Sequence, residues 1–219
     1  MKIKEISGLY SFAMNKLIGT DKWYYQISEL TDFYDLNYLA GVGEELKGSE
    51  IIFVSYPEGK TYKPFEKKEK IYYNAPIFLD DLIYFLKVDF STNLVYIVKF
   101  NPEDESTEEI FSMSIEDVDL YNLALTKYPL TLYSGGEGFN VYYPEKFSLN
   151  LDPNEVFIYR DEDVLYFTKW NETGISTNGI IGKDYEYFEE IVTKDIDGNT
   201  ISTEQGSLTE MDNGEFWKY

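Results

Sequence analysis

The sequence predicts a mainly β protein built from antiparallel sheets, with one helix near the N-terminus. Two observations carry this prediction. Aromatic residues make up 18% of the 219 residues, and Tyr and Phe favour strands because flat rings pack well across a pleated surface. From residue 50 onward, short apolar segments alternate with turn signals, which is typical of consecutive strands. The alternative is an α+β fold in which the helix covers an antiparallel sheet.

The first forty residues are the least β-like part of the chain. Apolar residues recur at helical spacing from Ile6 to Leu17, Ser7 is a suitable N-cap and Gly19 a suitable end, which predicts a helix over residues 7–18. Residues 22–30 have the composition of a strand, and residues 32–40 fit either a short helix or a strand. A soft boundary lies near residues 41–48, but we expect one domain over residues 1–219.

The remaining elements are predicted in chain order from apolar runs and turn signals. Ser114 begins a segment that resembles a capped helix start, and residues 120–126 fit either a helix or a strand. Three hairpins are expected: residues 82–90 with 94–100, 130–133 with 139–143, and 185–194 with 200–207. The tight-turn pair Asp197-Gly198 joins the two strands of the last hairpin. Residues 101–109 are expected to be a polar connector. Further strands are expected over residues 50–56, 70–74, 110–114, 147–151, 156–160 and 164–170.

The charge balance and the absent residue types exclude several functions. Forty acidic residues against 19 Lys and Arg give a net charge of −21, which repels nucleic-acid phosphates and anionic membrane surfaces. The chain has no Cys and no His, so thiol catalysis, thiolate metal sites and a Ser-His-Asp triad are excluded. We therefore expect no catalytic, cofactor-binding or metal-binding residues. Because no apolar run suits a signal peptide or a bilayer span, we expect a cytoplasmic protein.

Two stretches of the chain nearly match. Residues 81–88 read DLIYFLKV and residues 163–170 read DVLYFTKW, an offset of 82 residues. Shorter echoes of the acidic residue followed by Tyr and an aromatic occur at residues 21–25, 69–73 and 184–188. Self-similarity of this kind indicates how a fold is assembled.

The unit from residue 82 to residue 114 has the order strand, short turn, strand, acidic loop, strand, and Asn101-Pro102 ends its middle strand. This order resembles blades of β-propellers of the quinoprotein and kelch-like kind. The resemblance implies propeller-like repeats and a binding scaffold more often than one given enzyme. The alternative is that aromatic strands after acidic turns look alike in any antiparallel sheet.

Two glycine-containing segments have the composition of ligand loops without the required spacing. Residues 195–200 alternate oxygen ligands as a calcium loop does, but the glycine falls one position early and Gly206 replaces the bidentate Glu. Residues 134–138 read SGGEG, yet a strand follows instead of the helix that a phosphate loop needs. We interpret both segments as hairpin turns.

Carboxylates and aromatic side chains are the remaining candidates for function. The densest acidic clusters are Asp80 with Asp81, and Asp161 with Glu162 and Asp163. They have the residue type of glycoside hydrolases, but solvated turns before strands are the favoured interpretation. The three tryptophans and 21 tyrosines suit sugar stacking, a partner surface or core packing; the tryptophans are Trp23, Trp170 and Trp217. We expect the aromatic C-terminal segment to dock onto the body of the protein.

The function hypothesis is a non-catalytic binding or interaction module whose partner is a basic protein, with no nucleic acid and no membrane as target. The alternative is a carboxylate-based, carbohydrate-active hydrolase or a sugar-binding protein. The hydrolase requires two facing carboxylates in an aromatic-lined cleft, one of them with a pKa raised by burial.

Overall fold

The computed structural model describes residues 3–136, 138–175 and 181–219, and strands dominate this part of the chain. All strand pairs within it are antiparallel, and it contains a single α-helix, α1 (Phe33–Gly41). The prediction of a mainly β fold with antiparallel sheets is confirmed.

Four sheets follow one another along the chain, and in the first, third and fourth of them consecutive strands pair as a meander. Sheet A contains β1 (Asn15–Lys16), β2 (Trp23–Ile27), β3 (Ile51–Ser55) and β4 (Thr61–Tyr62). Sheet B contains β5 (Ile71–Tyr73), β6 (Ile77–Leu79), β7 (Leu82–Asp89), β8 (Leu94–Asn101) and β9 (Ser106–Ser114). Both β5 and β6 pair with β7 in sheet B.

The second half of the chain forms two more meanders and a terminal hairpin. Sheet C contains β10 (Ala124–Thr126), β11 (Thr131–Gly135), β12 (Phe139–Tyr143) and β13 (Phe147–Leu149). Sheet D contains β14 (Glu155–Asp161), β15 (Val164–Ile175), β16 (Ile181–Asp195) and β17 (Thr200–Gln205). Sheet E is the hairpin of β18 (Leu208–Glu210) and β19 (Phe216–Lys218).

The predicted helix over residues 7–18 is wrong, because this segment contains only the short strand β1. The side chain of Gln26, which is buried in sheet A, binds the segment in a non-helical conformation. Its amide donates to the carbonyls of Tyr10 (3.3 Å) and Phe12 (2.7 Å) and accepts from the Tyr10 N–H (3.0 Å). These tertiary bonds override the helical spacing of the apolar residues.

The α-helix instead occupies the segment that fitted either a helix or a strand. The Asp32 carboxylate accepts a hydrogen bond from the Tyr34 N–H at 2.8 Å and so caps the first turn. Phe33 and Leu36, three residues apart, are buried on one face of α1. The cap and the buried pair together select the helix.

The three predicted hairpins are confirmed as β7–β8, β11–β12 and β16–β17. Ser114 caps a single 3₁₀ turn (Ile115–Asp117), and the next residues form β10 rather than a longer helix. The polar connector is shorter than predicted, since residues 106–109 already belong to β9. The short strands β1, β4, β6, β18 and β19 were not predicted.

The core lies between neighbouring sheets. Between sheets A and B, the ring of Phe53 stacks on Phe100 at 5.3 Å. Between sheets C and D, the ring of Phe139 stacks on Phe157 at 4.5 Å and meets Phe167 edge-on at 5.7 Å. A third cluster joins sheets B and C beneath α1. The sheets therefore pack in the order A, B, C, D.

Truncation of Phe139 tests this account of the core. We expect Phe139→Ala to lower the free energy of unfolding by about 3–5 kcal/mol, because a fully buried ring is replaced by a cavity. The measurement is urea denaturation followed by tryptophan fluorescence. The control is Val156→Ala on strand β14, where the side chain is 49% exposed and the expected loss is within about 0.5 kcal/mol. Equal losses in both variants would contradict the account.

A second prediction concerns Asp89, which closes β7. Burial opposes ionisation of its carboxyl group, but donors from Ser91 and Thr92 outweigh burial and lower the pKa of Asp89 below the ordinary value of 3.8. The ionised Asp89 carboxylate therefore stabilises the folded state. This stabilisation is complete above about pH 4 and is lost as the pH falls through the lower pKa that Asp89 has in the folded protein. We therefore expect Asp89→Asn to be less stable than the wild type at neutral pH.

The difference in unfolding free energy between wild type and Asp89→Asn is expected to narrow on acidification, as measured by urea titrations from about pH 7 to about pH 3. Asp80→Asn, at an exposed turn, is the control. A difference that stays constant with pH would show that the carboxylate charge of Asp89 is not the stabilising feature.

Candidate functional site

An exposed aromatic stripe follows the outer side of α1. Tyr34, Tyr38 and Val42 are spaced four residues apart, and each is more than half exposed, at 55%, 67% and 58%. The ring of Tyr121 meets Tyr34 edge-on, with centroids 5.9 Å apart, and is also exposed. We refer to Tyr34, Tyr38, Val42 and Tyr121 as the tyrosine face.

The packing beneath α1 explains why these rings point outward. Phe33 and Leu36 occupy the inner side of the helix and pack with Leu120 and Leu123 in the cluster between sheets B and C. The Asp119 carboxylate accepts from the Tyr121 N–H at 2.9 Å. The inner side of the helix is thus filled, and the backbone that carries Tyr121 is held in place.

The two segments of chain that carry the tyrosine face are acidic, and Lys47 follows the first of them. Residues 29–45 and 116–121, which carry the face, contain eight Asp and Glu and no Lys or Arg. The eight acidic residues are exposed: Glu29, Asp32, Asp35, Glu44, Glu45, Glu116, Asp117 and Asp119. Among the described residues, none of the eight takes part in an ion pair. None of these eight carboxylates is therefore neutralised by a directly paired cation in the described part of the chain.

A second feature is a partly open cavity of about 380 Å³ where β6, β10, β14 and sheet E converge. Its aromatic walls come from Tyr128, Tyr133, Tyr159 and Phe216, and its charged groups are Lys127, Arg160, Asp161 and Glu210. The ring of Phe216 stacks on Tyr159 at 4.0 Å. We call this cavity the central pocket.

Sheet E is anchored at the central pocket. The Lys127 ammonium donates to the Glu210 carboxylate at 3.1 Å and to the Ile18 carbonyl at 3.3 Å. The Gly19 N–H donates to the Asp212 carbonyl at 3.0 Å. Lys127 thus connects sheet C to the hairpin at the end of the chain and to the loop of sheet A.

Arg160 is part of the pocket wall. Its side chain is 3% exposed, its Nε donates to the Glu162 carbonyl, and its Nη2 pairs with Glu145. Nη1 donates to the Thr131 hydroxyl at 3.4 Å, and Nη2 also lies 3.9 Å from the Asp163 carboxylate. Since these contacts occupy each nitrogen of the guanidinium, the group fixes the wall and is not presented to a ligand as a free cation.

Two pocket tyrosines are kept in their neutral form. Burial raises the pKa of Tyr133, and burial together with the neighbouring Tyr166 raises the pKa of Tyr159 well above its ordinary value. Both phenols therefore remain protonated at neutral pH and can act as hydrogen-bond donors.

The acidic clusters of the sequence lie in two tight turns at corresponding places in the fold. Asp80 and Asp81 join β6 to β7, and Glu162 lies in the turn that joins β14 to β15. All three have positive φ values, which turns of this kind require. Asp161 lines the central pocket whereas Asp81 lines a separate depression, so the two clusters do not share one cleft.

The two glycine-containing segments, residues 195–200 and 134–138, connect paired strands. Residues 195–200 form a hairpin turn in which Asn199 donates twice to the Asp195 carboxylate, at 2.8 and 2.9 Å, and lowers its pKa. The glycine loop joins β11 to β12, and its Glu137 lies outside the described residues. Within residues 3–136, 138–175 and 181–219, no group of acidic residues is arranged to hold a metal ion.

The tryptophans differ in their surroundings. Trp23 is half-buried and its ring meets Tyr62 at 5.3 Å, and Trp170 is also half-buried. The C-terminal segment docks through Phe216, as expected, but Trp217 points away and is exposed.

In the described part of the chain, no helix has the length and apolar character needed to cross a bilayer.

The carboxyl groups whose pKa is clearly moved by their surroundings are all moved downward, by hydrogen bonds or by neighbouring Lys. They are Asp21, Asp89, Asp104, Asp152, Glu189 and Asp195. A general acid in a glycoside hydrolase needs the opposite shift.

Comparison with protein-family models, with curated proteins and with solved structures finds no match to this chain. The function is therefore argued from the tyrosine face and the central pocket. Sequence reasoning did not find either feature as a site. The spacing of Tyr34, Tyr38 and Val42 was a usable signal once residues 32–40 were taken as a helix, whereas the pocket residues are too far apart in sequence.

Removal of the Lys127 ammonium tests how sheet E is held. We expect Lys127→Ala to weaken the anchoring of residues 208–218, because the Glu210 and Ile18 contacts are lost together. The expected result is faster amide hydrogen exchange in β18, β19 and Gly19, with unchanged exchange in sheet B. The control is Lys169→Ala, which removes a more exposed pair with Asp152. Unchanged exchange in β18 and β19 would show that Lys127 does not hold the hairpin.

Proposed function

We propose that this protein is a non-catalytic interaction module that binds a basic protein partner through the tyrosine face. The observation that carries the proposal is an exposed stripe of three tyrosines and a valine on two segments that contain eight exposed carboxylates and no Lys or Arg. Tyrosine is enriched among the residues that dominate binding energy at protein interfaces. Charge complementarity then selects the partner.

The stripe has no role in the stability of the helix. The inner side of α1 already buries Phe33 and Leu36, and the cap is provided by Asp32. Soluble monomers rarely expose contiguous apolar patches without a binding role. An interface is therefore the interpretation that accounts for both the outward rings and their spacing.

The chemistry of the face favours arginine in the partner. A guanidinium stacks on a tyrosine ring and pairs with a carboxylate at the same time. Asp35 and Tyr38 are three residues apart on α1 and are therefore neighbours on the helix surface. The Asp119 carboxylate accepts from the Tyr121 N–H, so a carboxylate lies near each of these two tyrosines. Long-range attraction by the acidic face also accelerates encounter and makes it sensitive to salt.

We further infer that sheets A to D are propeller-like repeats that serve as the scaffold of this module. Three observations support the inference. Sheets A, C and D are meanders of sequential strands, and sheet B has the same order from β7 to β9. The sheets pack in chain order, and the two matching stretches form the corresponding strands β7 and β15, each directly after an acidic turn.

The proposal is tested with fluorescently labelled oligo-arginine, oligo-lysine and oligo-glutamate peptides by fluorescence anisotropy at low and moderate salt. We expect oligo-arginine to bind most tightly, binding to weaken with salt, and oligo-glutamate not to bind. In Tyr34→Ser/Tyr38→Ser the affinity for oligo-arginine should fall by about tenfold or more, because two ring contacts are lost. Glu44→Lys/Glu45→Lys should weaken both cationic peptides.

Two control variants separate the tyrosine face from the general acidity of the chain. Tyr56→Ser removes an exposed ring in sheet A, and Glu103→Lys reverses an exposed charge in the loop between β8 and β9. Both should retain wild-type affinity. Equal losses in the control and the face variants would mean that the peptides recognise net charge alone and would refute the proposed interface. A pull-down from source lysate with wild type and Tyr34→Ser/Tyr38→Ser then identifies partners that depend on the face.

A further inference from the structure

The central pocket is assembled from parts of the chain that are far apart in sequence. Ile77 of β6, Lys127 after β10, Ile158 of β14 and Phe216 of β19 all line it. The first strands of sheets C and D and the terminal hairpin therefore meet there. Its volume of about 380 Å³ lies within the range of small-molecule sites, which favour such convergence points.

The charge of the pocket is balanced, in contrast to the chain as a whole. Its lining contains two cations and two carboxylates, whereas the chain carries −21. Lys127 is paired with Glu210, and the guanidinium of Arg160 is occupied by Glu145, Thr131 and a carbonyl. The two positive and two negative charges of the lining cancel, so the pocket favours an uncharged ligand over an anion or a cation.

The polar groups of the pocket suit hydroxyl groups. Protonated phenols of Tyr133 and Tyr159 donate hydrogen bonds, and the carboxylates of Asp161 and Glu210 accept them. The rings of Tyr128 and Phe216 provide flat apolar surfaces in the same cavity. A ligand with both hydroxyl groups and an apolar ring face satisfies all these groups at once.

We propose that the central pocket binds a small neutral carbohydrate, a mono- or disaccharide, without catalysing its hydrolysis. The proposal is independent of the tyrosine face, because it depends on different side chains and on a ligand of a different class. It assigns Phe216 and Tyr128 as stacking surfaces and the Lys127–Glu210 pair as a hydrogen-bonding group at the pocket wall.

The test uses saturation-transfer NMR and isothermal titration calorimetry on the full chain, with glucose, galactose, mannose, maltose and cellobiose as probes. Glucuronate and glucosamine are the charged counterparts. We expect at least one neutral sugar to bind and both charged sugars to bind more weakly. Phe216→Ala should reduce the affinity by about tenfold, as loss of a stacking ring predicts.

The matched control is Trp217→Ala, which removes the neighbouring, exposed ring on the same strand and should leave sugar binding unchanged. Because Phe216→Ala also removes the contact with Tyr159 and can loosen sheet E, Tyr128→Leu provides a second test at an exposed position of the pocket rim. Near-ultraviolet circular dichroism verifies that both variants are folded.

Three results would overturn the proposal. The first is the absence of binding by all five neutral sugars at millimolar concentration. The second is wild-type affinity in both folded variants, Phe216→Ala and Tyr128→Leu. The third is equal binding of glucuronate or glucosamine, which would show that the balanced charge of the pocket does not select a neutral ligand. Release of free monosaccharide from maltose or cellobiose would refute the non-catalytic part.

Discussion

Aromatic packing between neighbouring sheets is the interaction on which the rest of the structure depends. Each sheet is small and needs a partner to bury one face, and rings such as Phe53 and Phe139 provide that contact. The chain has no disulfide to assist, since it has no Cys, and its net charge of −21 opposes compaction by self-repulsion. Aliphatic side chains make up most of the buried core, and the large flat rings add stacked and edge-on contacts across the sheet interfaces.

The order of sheet packing also determines where the ends of the chain meet. Sheet E stacks on sheet D through Phe216 and Tyr159 and bonds to the loop of sheet A through Asp212 and Gly19. A Cβ atom on Gly214 would lie 3.2 Å from the Gly19 Cα, so the two backbones approach closely at this junction. The central pocket lies beside this junction, where β6, β10, β14 and sheet E converge. The central pocket is thus a consequence of how the chain ends are joined.

Most strands were predictable from sequence because their apolar residues alternate and their turns carry Asp, Asn or Gly. Residues 7–18 were predicted wrongly because a buried amide, Gln26, bonds their backbone, and a partner in another strand leaves no local signal. The tyrosine face depends on which side of α1 is filled, which only Phe33, Leu36 and their distant contacts decide. The pocket is lined by residues as far apart in sequence as 77 and 216. No sequence periodicity relates residues that are separated by such a distance along the chain.

The eight carboxylates of the tyrosine-face segments oppose association between two copies of this face. An exposed aromatic stripe without charge would associate with a second copy of itself, but two such faces carry the same sign and repel each other. A partner with Arg or Lys experiences attraction from the same groups and gains the ring contacts as well. The acidic charge that opposes self-association of the stripe is therefore the same charge that, in the proposed function, selects a basic partner.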